Sequence, residues 1–122
     1  METGNESSLV TVLTYNDRKF MFTGDMDTKS EGEIMSWWQG RVEGLKVSHH
    51  GSDSGSSEEW LKKLEPVVAV ISVGKNNNYG HPKEVVLGRL KNLGVKILRT
   101  DLDGEVVLGW DQNVYNKAWI LR

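Results

Sequence analysis

Apolar residues divide the chain into segments of different period. Leu9, Val10, Val12 and Leu13 form one β-rich run and Phe20, Met21 and Phe22 a second, separated by the polar cluster Tyr15-Asn16-Asp17-Arg18. That spacing predicts a hairpin. The second run ends at Thr23-Gly24-Asp25, where glycine permits a sharp bend and leaves an aspartate at a strand end. Ile34, Met35, Trp37 and Trp38 recur at mixed helical spacing after Thr28, an N-cap candidate with Glu31 three residues on as in a capping box. Gly40 is the expected stop. Leu45 to Ser48 predicts a short strand, and Ser56 or Ser57 caps an amphipathic helix from Glu58 to Leu64 that Pro66 closes.

Val67 to Val73 is apolar without alternation and rich in β-branched residues, the pattern of a central strand buried on both faces of a parallel sheet. Pro82 to Leu93 sets Val85, Val86, Leu87, Leu90 and Leu93 on one broad helical face, with Pro82 at the first helical position and Gly94 as the stop. Val95 to Leu98 and Glu105 to Trp110 predict strands joined by a hairpin turn at Asp101-Leu102-Asp103-Gly104, and Lys117 to Leu121 a last strand. The order is a hairpin followed by α, β, α, β, α, β, β, an α/β layered pattern with no internal repeat. Sheets of this kind place functional residues in the loops beyond strand C-termini.

Composition narrows the function classes. At 122 residues, 38% apolar and 26% charged with two prolines, the chain is globular and fits one compact domain or part of one. Its formal net charge of −2 shows no basic stripe, so any contact with a polyanion must be local. The absence of cysteine excludes disulfides, thiolate zinc sites and cysteine nucleophiles, while leaving the compartment open. The longest apolar run, Val67 to Val73, is about a third of the ~20 residues that cross a membrane, so the segment is expected to be soluble.

The candidate chemistry lies where strands end. All three histidines and one aspartate fall on post-strand loops beside glycine: Thr23-Gly24-Asp25, Ser48-His49-His50-Gly51-Ser52 and Tyr79-Gly80-His81-Pro82. Imidazole and carboxylate are the usual ligands of zinc, manganese and iron, and neighbouring glycines let side chains from separate strands converge. One of His49 and His50 is expected to ligate while the other orients or contacts substrate. The ordinary alternative is a solvated turn, and the spacing matches no compact zinc signature. His81 could donate to a phosphate or a leaving oxygen, or simply precede the helix that follows it. Ser52, Ser54, Ser56 and Ser57 lack a Gly-x-Ser-x-Gly elbow and read as solvated loop and helix cap. Trp37 and Trp38 read as core or partner-surface anchors rather than base-stacking residues. The loop Gly74 to Gly80 resembles a phosphate cradle but lacks the Lys-Ser/Thr pair of a P-loop.

Taken in order, Asn5 to Val10, Phe22-Thr23-Gly24-Asp25, Leu45 to Ser52, Val70 to Pro82 and Leu98-Arg99-Thr100-Asp101 resemble the ComEC family of DNA-uptake channels. The resemblance spans residues 5 to about 108. It implies the C-terminal half of a metallo-β-lactamase αββα sandwich, a mixed sheet with helices on one side, forming a single partial domain over residues 1–122. By resemblance Asp25 bridges two metal ions, zinc or manganese, and His50 is a terminal ligand with His49 the competing assignment. His49 and His81 are then the residues facing substrate. In the intact enzyme so implied, a metal-held hydroxide would attack a phosphodiester phosphorus.

Two departures bear on this. The family's first metal motif, His-x-Asp-x-Asp-His or His-x-His-x-Asp-His, does not occur in the chain, so a dinuclear site is expected to stay incomplete and the chain inactive alone. Lys83 and Glu84 stand where the family often continues Gly-His-Pro with another histidine. The expected partners are the missing N-terminal half, DNA in the parent protein, and a second copy of the isolated chain. The parent is expected to be bacterial and membrane-associated or secreted. Two competing readings are a non-catalytic structural or interaction module and a small nucleotide- or phosphate-binding α/β domain using the 74–80 loop.

Overall fold

The computed structural model describes residues 8–109 together with the backbone of the strand at 118–119. Asn5 to Ser7, Trp110 and the remainder of the expected last strand lie outside the described residues.

The hairpin expected at the start is present: β1 (Thr11–Tyr15) pairs antiparallel with β2 (Arg18–Phe22). Asn16 and Asp17 both take positive φ, 50° and 64°, as a two-residue hairpin whose turn matches the strand twist requires. From β2 the chain alternates helix and strand: α1 (Thr28–Met35), β3 (Gly44–Lys46), α2 (Glu58–Leu64), β4 (Val68–Ile71), α3 (Glu84–Asn92) and β5 (Lys96–Arg99). The sheet order is β1-β2-β3-β4-β5, with β2 to β5 mutually parallel. Because each crossover steps the same way and crossovers share one hand, the helices must fall on one face. Packing agrees. Met21, Leu45, Ala69 and Ile71 from the sheet share one core with Trp60, Leu61 and Leu64 of α2 and Val86, Leu87 and Leu90 of α3.

The opposite face carries a smaller cluster, Phe20, Val68 and Leu98, with Val106 and Leu108 against it. Beside that cluster a groove of about 380 Å³ runs along Leu13, Phe20, Phe22, Gly44, Lys46 and Leu108. Over the described residues the chain is thus an α/β fold with a mostly parallel mixed sheet, helices on one side and the other side only partly covered.

Several local expectations are corrected. The N-cap of α1 is Asp27, whose carboxylate accepts from Ser30 N at 3.1 Å, so Thr28 and Glu31 do not form a capping box. That helix ends at Met35, five residues before Gly40. Pro82 is not the first residue of α3, which starts at Glu84 with Lys83 as N-cap. The hairpin expected at 101–104 is absent: Thr100–Asp103 is a helical turn, α4, held by a two-point ion pair from Arg99 to Asp101 at 3.0 and 2.8 Å. The next strand, β6 (Leu108–Gly109), pairs parallel with β7 (Ala118–Trp119) and not with β5.

Candidate functional site

Parallel pairing decides where the polar loops go. Since β2, β3, β4 and β5 run the same way, the segments after Phe22, Lys46, Ile71 and Arg99 all emerge at one edge of the sheet. Motifs up to 75 residues apart in sequence, Asp25 and Arg99-Thr100 among them, therefore share one rim. Thr100 Oγ1 ties two of these loops, accepting from Val73 N at 2.8 Å and donating to Val73 O at 3.0 Å.

On this rim the three histidines meet. Ring centroids lie 6.1 Å apart for His49 and His50, 5.6 Å for His49 and His81, and 6.5 Å for His50 and His81. His50 Nδ1 is 2.6 Å from the Ser72 carbonyl oxygen at the end of β4. A carbonyl only accepts, so this nitrogen carries a proton, and Nε2 is the nitrogen left to ligate or donate. His49 Nδ1 lies 3.3 Å from Ser54 Oγ. Such a partner on one ring nitrogen is what orients an imidazole that ligates or donates through the other.

The backbone beneath them is strained. His49 (φ 50°, ψ 47°) and His50 (φ 57°, ψ 24°) are consecutive left-handed residues, at a cost of about 1–2 kcal/mol each. Such strain persists where its surroundings over-determine it. Here His49 N donates to Gly24 O at 2.8 Å, and His49 O accepts from Ser52 N at 2.9 Å. Gly51 completes the bend at φ 84°, and a Cβ there would lie 2.5 Å from Pro82 Cβ, so only glycine lets the loop carrying His81 settle onto this turn.

Burial, then neighbouring His49, Lys83 and His50, lowers the His81 pKa, so the imidazole is neutral at neutral pH. It would hydrogen-bond as a neutral donor or acceptor rather than as a cation. Asn77 locks its loop: the side-chain amide donates to Gly74 O and His81 O at 3.2 and 2.9 Å, and its oxygen accepts from Tyr79 N and His81 N at 3.1 and 3.0 Å. Tyr79, exposed, stacks on His81 with centroids 5.9 Å apart and planes 24° apart.

Asp25 sits at the same edge, exposed, its amide donating to Ser8 Oγ at 3.0 Å. Its link to the histidines runs through the backbone bond from His49 N to Gly24 O. Among the described residues no three His, Asp or Glu side chains gather closely enough to hold a metal ion. The donors have the right chemistry in His50 and Asp25, but they are too few: a stable zinc site takes about four. The described residues do not form a closed metal site.

Sequence reasoning brought His49, His50 and His81 together correctly and placed Asp25 on their rim. It missed Ser72, Asn77 and Glu31, whose roles rest on contacts from distant or irregular backbone. The serine run is expected to be solvated loop and helix cap; Ser57 is the N-cap of α2, but Ser52 and Ser56 are buried and Ser54 faces His49. Trp38 is buried and Trp37 exposed. In the 74–80 loop the Asn77 side chain is committed to the loop's own backbone.

No family model matches the chain. It is 39% identical over 103 residues to ComE operon protein 3 of Bacillus subtilis (strain 168), covering 84% of this chain and 13% of that protein. It is 37% identical over 107 residues to Competence protein ComA of Neisseria gonorrhoeae, covering 86% of this chain and 16% of that protein. Recombination protein 2 of Haemophilus influenzae matches over 109 residues at 31% identity, 89% of this chain and 14% of that protein. The chain therefore spans only about one seventh of the length of these curated relatives. Together these homologues indicate that the chain is a segment of the ComEC family of competence proteins.

Proposed function

We propose that this chain contributes one half of a metallo-β-lactamase-type active site in a metal-dependent phosphodiesterase that acts on DNA during uptake. The observation that carries the reading is the convergence of three imidazoles, 5.6 to 6.5 Å apart, on the rim where Asp25 also ends its strand. In this assignment Asp25 and His50 supply ligands to a zinc or manganese site whose remaining ligands lie outside the described residues. His49 and His81 face substrate, His81 as a neutral hydrogen-bonding group at a phosphate or leaving oxygen. Phosphodiesters fit a rim that combines hydrogen-bonding imidazoles with the Lys83 ammonium, which donates to Tyr79 O at 3.3 Å.

The test uses the longest polypeptide that carries this segment together with an upstream His/Asp motif. Metal-dependent cleavage of a labelled oligonucleotide should fall at least ~100-fold in Asp25→Ala and in His50→Ala, since each change removes a charge-stabilising ligand. Cleavage unchanged in both variants would overturn the reading.

A second reading, a non-catalytic interaction module, is favoured by the open sheet face. Phe22 and Leu13 are exposed there beside the groove, and all five residues of β1, the edge strand, are exposed. An edge strand with no further strand beside it among the described residues, next to an apolar face, invites pairing with a second copy of the chain. We propose that the isolated chain associates in this way, β1 against β1 of the second copy.

A further inference from the structure

The helix α1 is polar along most of its length, yet one acid on it is fully buried: Glu31 is 0% exposed. Its carboxylate reaches across 25 residues of sequence. One oxygen accepts from Ser56 N, the other from Ser57 N at 3.0 Å. The loop it grips, residues 52–57, is the one that returns to the histidines. Ser54 Oγ faces His49 Nδ1 at 3.3 Å and is itself 3.0 Å from Ser52 Oγ. The same loop is tied to the start of α1 by Thr28 N to Ser54 O, 2.9 Å, and to α3 by Arg89 Nη1 to Ser56 O, 2.8 Å.

Space at this junction is tight. A Cβ on Gly55 would lie 2.6 Å from Met26 O, 2.6 Å from Ser48 Oγ and 3.2 Å from a Glu31 oxygen. Ser48, the residue immediately before the two histidines, has its hydroxyl buried in that same space without a hydrogen-bond partner among the described residues. Glu31 and Ser48 thus both border the space beside Gly55, and through Ser56 and Ser57 the carboxylate holds the 52–57 loop.

We infer that Glu31 is a positioning residue of the histidine site: its buried carboxylate clamps the 52–57 loop and so fixes the Ser54 hydroxyl that orients His49. A carboxylate suits this role because it offers two acceptor oxygens to two adjacent amides, and a carboxylate held by backbone N–H groups forms the stronger, charge-assisted kind of hydrogen bond. His50 takes its orientation from Ser72 on β4, outside the clamp. The two neighbouring imidazoles therefore answer to different supports, which makes the assignment testable.

The inference depends on reading His49 as a site residue, but its test needs no activity and so fails or succeeds separately from the hydrolase assignment. The experiment is ¹⁵N NMR of the histidine side chains in the 122-residue chain at neutral pH, with amide exchange at Ser56 and Ser57. Glu31→Gln keeps the shape and offers one acceptor oxygen in place of two. It should raise exchange at these amides at least ~10-fold and shift the His49 ring nitrogens toward a tautomer mixture, leaving His50 unchanged. Ser54→Ala, which spares the clamp, should give the same His49 change with both amides still protected, and the double variant should move His49 no further. Equal shifts at His49 and His50 would reduce Glu31 to a general fold support. An unmoved His49 in Ser54→Ala would overturn the inference even if Glu31→Gln does not fold.

Discussion

The two faces of the sheet show how differently one set of strands can be finished. On the helical face Met21, Leu45, Ala69 and Ile71 are at most 1% exposed beneath Trp60, Leu61, Leu64, Val86 and Leu90. On the other, among the described residues, Phe20, Val68 and Leu98 are packed by Val67, Val106 and Leu108, and Phe22 remains 45% exposed. Since successive strand residues point to opposite faces, the apolar character of both sets says that both faces were built to be covered. The helical face is complete within the described residues. The other is only partly covered among the described residues, and the histidine rim along the sheet edge likewise gathers no metal-holding group among them.

The largest effect should come from the finished face. Leu64→Ala removes a fully buried side chain from α2, where a cavity cannot be refilled from solvent, at a cost of about 2–5 kcal/mol. Phe22→Ser on the open face should cost less than about 1 kcal/mol, being a surface change. Urea unfolding of both variants measures the contrast. Equal losses would mean that the open face is covered as completely as the other.

The open face should show itself next in association. Light scattering at micromolar concentration should give a mass above the 13.8 kDa of one chain, falling to that mass in Leu13→Glu/Phe22→Glu. A concentration-independent monomer in the parent chain would show that the groove tolerates water and would remove the contrast between faces.

Much of this was legible from the chain alone, for physical reasons that vary by element. The strand at 68–71 stood out because burial on both faces demands an unbroken apolar run, and the cap at Ser57 because capping is local. The turn at 101–104 misled because Asp-Gly signals a hairpin only when two strands are ready to pair; here Arg99 and Asp101 neutralise each other first, which also raises the arginine pKa and lowers that of the aspartate. Glu31 looked like part of a capping box, since its true partners lie 25 and 26 residues away. The histidines could be placed after strands, but only the parallel order of β2 to β5 brings them within 6.5 Å of one another.

The rim should prove weak where the helical face is strong. Calorimetry of the isolated chain with Zn²⁺ should show binding no tighter than about 10 μM, because Asp25 and one or two imidazoles leave the ~4-ligand requirement unmet. Oligonucleotide cleavage by the isolated chain with Mn²⁺, Zn²⁺ or Mg²⁺ should be undetectable. A tight stoichiometric site abolished by His50→Ala would show that the ligand set closes within this chain.

The smallest effect is a slope. Glu31 is the most deeply buried carboxylate among the described residues, and burial raises its pKa above the ordinary value of 4.5, against the lowering effect of the Ser57 and Ser56 amides and with a further push from nearby Asp27. Between 4.5 and that raised value the folded chain holds a proton the unfolded chain has released. Stability contributed by protonated Glu31 is therefore full below 4.5 and is lost as pH rises through the folded pKa. Glu31→Gln has no such proton. It should carry a fixed penalty of about 1–3 kcal/mol for the acceptor it lacks, and that penalty should shrink as pH rises across the window, by at most about 1.4 kcal/mol per pH unit. Urea midpoints of both proteins from pH 4 to 8 measure the difference. A gap independent of pH would mean that the carboxylate keeps its ordinary affinity for the proton despite burial, its two amide bonds offsetting the whole cost of leaving water. The helical face would then be as tolerant of charge at this point as the exposed rim it supports.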